Sequence, residues 1–599
     1  MPLDTETVVG FLRNPRVNWR GRNRRSDKVC ATKLERDVAA KFCPWHWRHL
    51  RVDLRPEAVA GANMTAGDSC SQRGGCASKF TEGVCKNPES CPTLEKKIMQ
   101  TRVLFLAIVL GTTAVLAQNA PVAIPKILGP VPLTADSYPF LGAGHTLNPI
   151  DFTKAGYVEE EFFISGNANV YDWAADGSLS VKTEKVPYTT RILVRRPAQA
   201  SRFSGNVVVE PFMPARRYDW PIMWSYVHQS LMEHGDAWVG VTVPATSGAL
   251  KKFNSARYSA VSFANPAPTA ACPGAGKNGP ADIEDGLRFD ALSQVGTALK
   301  SGSGPMGNLK VEGIYMTTQG GDLLTYMNAI HPHAKLTNGK FVYDGYLSRN
   351  PGNIQRLNQC APAPQPNDSR GGFHPKFGVP VIAVVAQGEV PASLGLRRGD
   401  SDDPADRFRL YEVAGVSHID KAAYSQFPTV ADQIAAVGAT QGTPEWPLNV
   451  TCEPPIPLTD QPALTYVYDV AIQQLFNWAR KGVAPPQAER MRIKEEVAEA
   501  GTKPTVALDE YGNGLGGVRT PYVEVPVASY FVTSPGPGTC GELGHKFVLE
   551  QSRLTSMYPN AKAYTRKVAQ VTDRLIKEGW LTESDGRKIE SELNAVPAH

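Results

Sequence analysis

The sequence predicts an α/β fold, with a mostly parallel central sheet and helices on both of its faces. Three observations carry this. From residue 205 onward, short fully apolar runs alternate with helical stretches, the pattern of a parallel sheet buried on both faces. One of these runs, Val311 to Met316, leads into Gln319-Gly320-Gly321 and then a helix, giving strand, sharp glycine turn, helix. Upstream, Tyr188 to Pro197 alternates apolar and polar residues and stops at proline, as a half-buried antiparallel strand does.

The chain has 599 residues and a net charge of +5. That charge is unevenly placed. Residues 1–117 hold 19 Lys/Arg and 11 Asp/Glu, and the remainder holds 44 and 47. The basic surplus therefore belongs to the leader, and the rest of the chain is not expected to bind nucleic acid. Within the leader, Met99-Gln100-Thr101-Arg102 precedes the apolar run Val103 to Leu116, which exits through Val115-Leu116-Ala117. A positive start, an apolar run and small residues at the exit read as a secretory signal peptide over 99–117, cleaved after Ala117. The run is 14 residues long, short of the roughly 20 that span a bilayer. Residues 1–98 read as an extension upstream of the true start, without a fold of its own. Their cysteines Cys70, Cys76, Cys85 and Cys91 lack the tight pairs of a zinc site. Residues 118–599 then form one exported domain with a C-terminal extension and no membrane contact. Its four cysteines, Cys272, Cys360, Cys452 and Cys540, suggest up to two disulfides in a secreted or periplasmic protein.

In chain order, the strand Gly205 to Pro211 is followed by the loop Phe212 to Trp220 and a helix from about Met223 to His234. A second buried strand runs from Ala237 to Val243. Residues 245–280 form a polar excursion. The helix Ile283 to Leu299 is amphipathic and feeds the elbow strand. A short helix follows the elbow. Strands are expected at Phe341 to Asp344, Val379 to Val385 and Phe408 to Gly415, then a helix from Tyr466 to Lys481. Two helical stretches around 564–578 and 584–595 close the chain.

Strand, tight turn and helix form the layout of a nucleophile elbow, whose usual pattern is G-x-S-x-G. In Met316-Thr317-Thr318-Gln319-Gly320, the serine position falls on Thr318. Such a fold presents nucleophile, acid and base in that order, each at the C-terminal end of a strand. Thr318, Glu389 and His418 satisfy the order. Glu389 follows one apolar strand and His418 follows the next. The base would take the hydroxyl proton and the acid would hold its tautomer. The oxyanion hole is expected from the N–H of Gln319 and from the loop near Phe212 or Met213. Gly512-x-Gly514-x-Gly516-Gly517 is too polar in context for a dinucleotide fingerprint. No metal or cofactor is called for, and the expected partner is a small ester.

From about residue 148 to its end, the chain resembles the secreted alpha/beta hydrolase domain proteins of bacteria and fungi, an esterase-like group. The resemblance rests on Gly156-Tyr157-Val158-Glu159-Glu160-Glu161-Phe162, Phe253-x-x-Ala256-Arg257-Tyr258, Glu412 to His418, and Gly516-Gly517-Val518-Arg519-Thr520-Pro521. It implies an α/β-hydrolase fold with insertions and a C-terminal helical extension, an ester-cleaving activity, His418 as base and Glu389 as acid. At the elbow it admits three alignments. Matching Gln319 to the glutamine of G-x-S-Q-S/T-G puts Thr318 in the serine position. The C-S-x-G-G turn of tannase-type esterases also selects Thr318. A third places Thr317-Thr318-Gln319 before the serine and leaves no nucleophile. Two functions follow: an ester hydrolase acting through Thr318, or a catalytically degenerate relative that binds a small ligand.

Overall fold

The computed structural model describes residues 120–595, apart from 269–280, 303, 366–367, 375, 441, 444, 448, 457, 459–462 and 495–503. The extension 1–98, the signal peptide 99–117 and Cys272 lie outside the described residues.

Nine strands make one sheet. They are β1 (Lys126–Leu128), β2 (Tyr157–Trp173), β3 (Leu179–Pro197), β4 (Asn206–Pro211), β5 (Ala237–Val241), β6 (Gly313–Gln319), β7 (Gly345–Arg349), β8 (Val381–Ala386) and β9 (Phe408–Val413). Their order is β1-β2-β3-β5-β4-β6-β7-β8-β9. The first three strands are antiparallel, and β3 joins β5 antiparallel. From β5 to β9 every pairing is parallel. A mixed sheet of this kind carries its antiparallel part at one edge.

The apolar strands look unpatterned in sequence because both faces are covered. Alternate residues nevertheless go to different cores. Val208, Tyr315, Leu347 and Ile382 pack with the helices Ile222–His234 and Ala463–Lys481. Val207, Val209, Ile314 and Met316 face the helix Arg288–Lys300 on the other side. This is the two-residue period of a strand. A third, smaller core belongs to the C-terminal helices Ala561–Lys577 and Glu583–Asn594 and includes Tyr466, Val525 and Tyr564.

Two elements differ from the sequence expectation. The strand expected at Phe341 to Asp344 forms four residues later, at Gly345–Arg349. Asp344 is taken up as a cap instead: its carboxylate accepts from the Ile314 N–H at 2.8 Å and from Lys300 Nζ at 2.9 Å. A further pair, β10 (Ala528–Phe531) and β11 (His545–Val548), is antiparallel and separate from the main sheet. A disulfide joins Cys452 and Cys540 across 88 residues of sequence. Among the described residues, no helix is long and apolar enough to cross a membrane.

Candidate active site

The ends of β4, β6, β7, β8 and β9 converge at the C-terminal edge of the parallel strands. The elbow lies at the end of β6. Thr317, Thr318 and Gln319 pair in register with Leu347, Ser348 and Arg349 of β7. Thr318 is therefore a strand residue and not the apex of the turn. It is 2% exposed, and its Oγ1 donates to the carbonyl of Pro211 at 3.2 Å. The apex is Gly320, with φ 84° and ψ −169°. That region of backbone space belongs essentially to glycine. The N–H of Gly320 is held by the carbonyls of Arg349 and Asn350, at 3.1 and 3.0 Å. The helix Gly321–Thr325 starts immediately after. At the position of a Gly320 Cβ there is open space, with no atom within 4 Å. At Gly321 a Cβ would strike the carbonyl of Asn353.

The expected acid and base, Glu389 and His418, are brought together. His418 Nδ1 and Glu389 Oε1 are in close contact. Glu389 Oε2 accepts the Ala386 N–H at 3.2 Å. The His418 side chain is 32% exposed and that of Glu389 12%. Nδ1 thus faces the carboxylate, and Nε2 has no hydrogen-bond partner among the described residues. Two residues that the sequence did not single out hold this pair. Asn350 Nδ2 contacts the same Glu389 oxygen and lies 3.4 Å from His418 Nδ1. Arg349 Nη2 donates to the His418 carbonyl at 2.8 Å. Both follow from the end of β7. The only hint of them in sequence is that β7 neighbours the elbow strand, which is a property of the sheet.

Thr318 makes no hydrogen bond to His418. The expected oxyanion donors are placed differently as well. The Phe212 N–H is bonded to the Val241 carbonyl at 2.9 Å, and the Met213 N–H to the Trp220 carbonyl at 3.0 Å. The next residue is Pro214, which has no N–H. The loop after β4 therefore has no free donor at its start. With Gly320 at the apex, the residue after it is Gly321, so Gln319 precedes the turn instead of following it. Gly321 N–H has no partner among the described residues. Gln319 and Thr318 both line a narrow cavity of about 20 Å³ beside the elbow, with Phe212, Met213, Met316 and Arg288 among its walls.

A profile of the family described as "Alpha/beta hydrolase domain" matches residues 127–591. The chain belongs to the alpha/beta hydrolase domain family. No curated protein matches the chain. Among solved structures, esterase B of Lactobacillus rhamnosis is similar at 9% identity over 65% of this chain and 97% of that one, with a TM-score of 0.24. The esterase Est22 is similar at 13% identity over 48% and 80%, with a TM-score of 0.24. A glucuronoyl esterase from Solibacter usitatus is similar at 9% identity over 49% and 85%, with a TM-score of 0.21. For this alpha/beta hydrolase, the site is thus described by its own geometry: a turn without a side chain, a carboxylate–imidazole pair, and a narrow apolar cavity.

Proposed function

We propose that this alpha/beta hydrolase is a catalytically degenerate member of its family that binds a small ester-like ligand. The observation that carries the proposal is Gly320. At the apex, where an elbow holds its nucleophile above the sheet, the chain has no side chain at all. The Thr318 hydroxyl is two residues away, inside β6, and hydrogen-bonded to Pro211. The occupied N–H groups of Phe212 and Met213 support the same conclusion, because an oxyanion needs donors not already bonded elsewhere. His418 and Glu389 retain the arrangement of a general base and its orienting acid, so the machinery lacks its nucleophile and not its base. The apolar run at 103–116 and the Cys452–Cys540 disulfide support export to the periplasm or beyond.

The test is Gly320→Ser. The native protein is expected to show no labelling by a fluorophosphonate probe and no turnover of p-nitrophenyl esters. The serine variant is expected to acquire both, and His418→Ala in that background to remove them. A melting curve checks that the variant folds, since a side chain in this backbone region strains it by about 1–3 kcal/mol. Native turnover that is lost in Thr318→Ala would instead establish Thr318 as a working nucleophile.

A further inference from the structure

We infer that Arg216 and Tyr424, with the ring of Trp446 beside them, form a binding site for an aromatic carboxylate. Arg216 belongs to the loop after β4, in the short turn Pro214–Arg216. Tyr424 ends the turn Ala422–Tyr424, in the loop that follows His418. Trp220 ties the two loops together, its Nε1–H donating to the Ala423 carbonyl at 2.9 Å.

Three rings hold the Arg216 guanidinium. Its central carbon lies 5.7 Å from the centre of the Trp220 ring, 5.4 Å from Tyr424 and 5.3 Å from Trp446. The rings also pack on one another. Trp220 stacks on Tyr424 with centroids 4.9 Å apart, and Tyr424 meets Trp446 edge to face at 3.9 Å. A guanidinium is attracted to ring faces by their quadrupoles. The side chain is therefore ordered before a ligand arrives, and little freedom is lost on binding.

The rings supply no anion. Arg397, Arg398 and Arg490 each meet a carboxylate. Among the described residues, Arg216 forms no ion pair, and its single hydrogen bond runs from Nη2 to the Tyr424 hydroxyl at 2.9 Å. Its Nε and Nη1 keep their N–H groups open, and the residue is half-buried, within reach of solvent. The Tyr424 oxygen accepts from Arg216 and still carries its own proton. Burial holds that phenol above its ordinary range, so it remains a donor at neutral pH. Of the charged groups acting on it, Arg216 and Arg349 are cationic and Glu542 is anionic. The surroundings thus favour an anion. One guanidinium and one phenol suit the two oxygens of a carboxylate, through charge-assisted hydrogen bonds. Trp446 is half-buried and offers the ring against which a flat apolar body packs. Because these residues lie outside the elbow and the Glu389–His418 pair, this ligand class and the missing nucleophile stand or fall separately.

The experiment is ligand-observed NMR on the native full chain at pH 8, with benzoate, benzamide and acetate as probes. Benzoate is expected to bind. Benzamide has its shape without the charge, acetate its charge without the ring, and each is expected to bind at least ~10-fold more weakly, a difference of about 1.4 kcal/mol. Arg216→Met keeps an aliphatic stem among the rings and should abolish the preference for benzoate over benzamide. A melting curve checks that this variant folds. Tyr424→Phe should weaken benzoate by about 3–10-fold, the loss of one hydrogen bond. Equal affinity of benzoate and benzamide for the native protein would overturn the inference, as would benzoate binding that is unchanged in folded Arg216→Met. Acetate binding as tightly as benzoate would overturn the aromatic part of the ligand.

Discussion

At the scale of residues, the site turns on one step of sequence register. Thr317 and Thr318 are β-branched and suit an extended strand, so β6 continues through them and the turn falls on the glycine pair. Thr318 then becomes a packing residue whose hydroxyl satisfies Pro211. Thr318→Ala should lower stability by about 1–2 kcal/mol through the lost hydrogen bond and buried methyl, and leave the probe labelling of a Gly320→Ser protein intact. Loss of that labelling in a folded double variant would show that Thr318 contributes to reactivity. A second residue, His331, has a purely structural role. It is 1% exposed, with Nε2 at 2.8 Å from the Phe377 carbonyl and Nδ1 at 2.8 Å from Tyr346 Oη. Burial pushes its imidazole down to about 4, against about 6.5 in an unfolded chain. The unfolded state therefore binds the extra proton first. The stability from neutral His331 is present above about pH 6.5 and is lost as pH falls toward 4, at up to roughly 1.4 kcal/mol per unit. Urea denaturation between pH 7 and pH 4.5 should show a shallower decline in His331→Gln than in the native chain; identical slopes would contradict this.

At the scale of elements, the site is assembled by the ends of five parallel strands, β4 and β6 to β9, and β7 is the link between the elbow and the Glu389–His418 pair. Its end holds the elbow through the Gly320 N–H, His418 through its carbonyl and Glu389 through Asn350. The segment connecting β10 and β11 supports the same region from outside. Val532 packs beside Gly388, and Leu543 pairs with Ile419 next to His418. The Cys452–Cys540 disulfide secures the connection between these two strands. Closing a loop of 88 residues stabilises a fold by about 4.6 kcal/mol in the chain-entropy account. Cys452→Ser with Cys540→Ser should lower the melting temperature accordingly, and hydrogen exchange should rise first in β10 and β11. Unchanged exchange there would mean the pair is held by packing alone.

At the scale of the whole molecule, a single mixed sheet separates two cores, and a third core fixes the C-terminal helices against Tyr466. If the apolar run 103–116 is the cleaved leader proposed above, its exit is Val115-Leu116-Ala117. Mass spectrometry of the protein recovered from outside the cytoplasm should find an N-terminus near Gln118; an intact leader on the exported protein would contradict cleavage there.

The sequence by itself determined the α/β class, the strands β4, β5, β6, β8 and β9, and that Glu389 and His418 lie directly after strands. These are local properties: apolar runs of strand length, glycine punctuation, and loops directly after strands. It also determined that the elbow was unusual, since no serine stands in Met316 to Gly320. Only the tertiary structure decided which residue is the apex, because a strand's end is set by its pairing with β7 and not by its own composition. The same holds for Phe212 and Met213, whose N–H groups are taken by Val241 and Trp220, far along or across the loop. Arg349 and Asn350 carry no local signal either. They matter because β7 lies between the elbow and the acid, an adjacency that exists only once the sheet has formed.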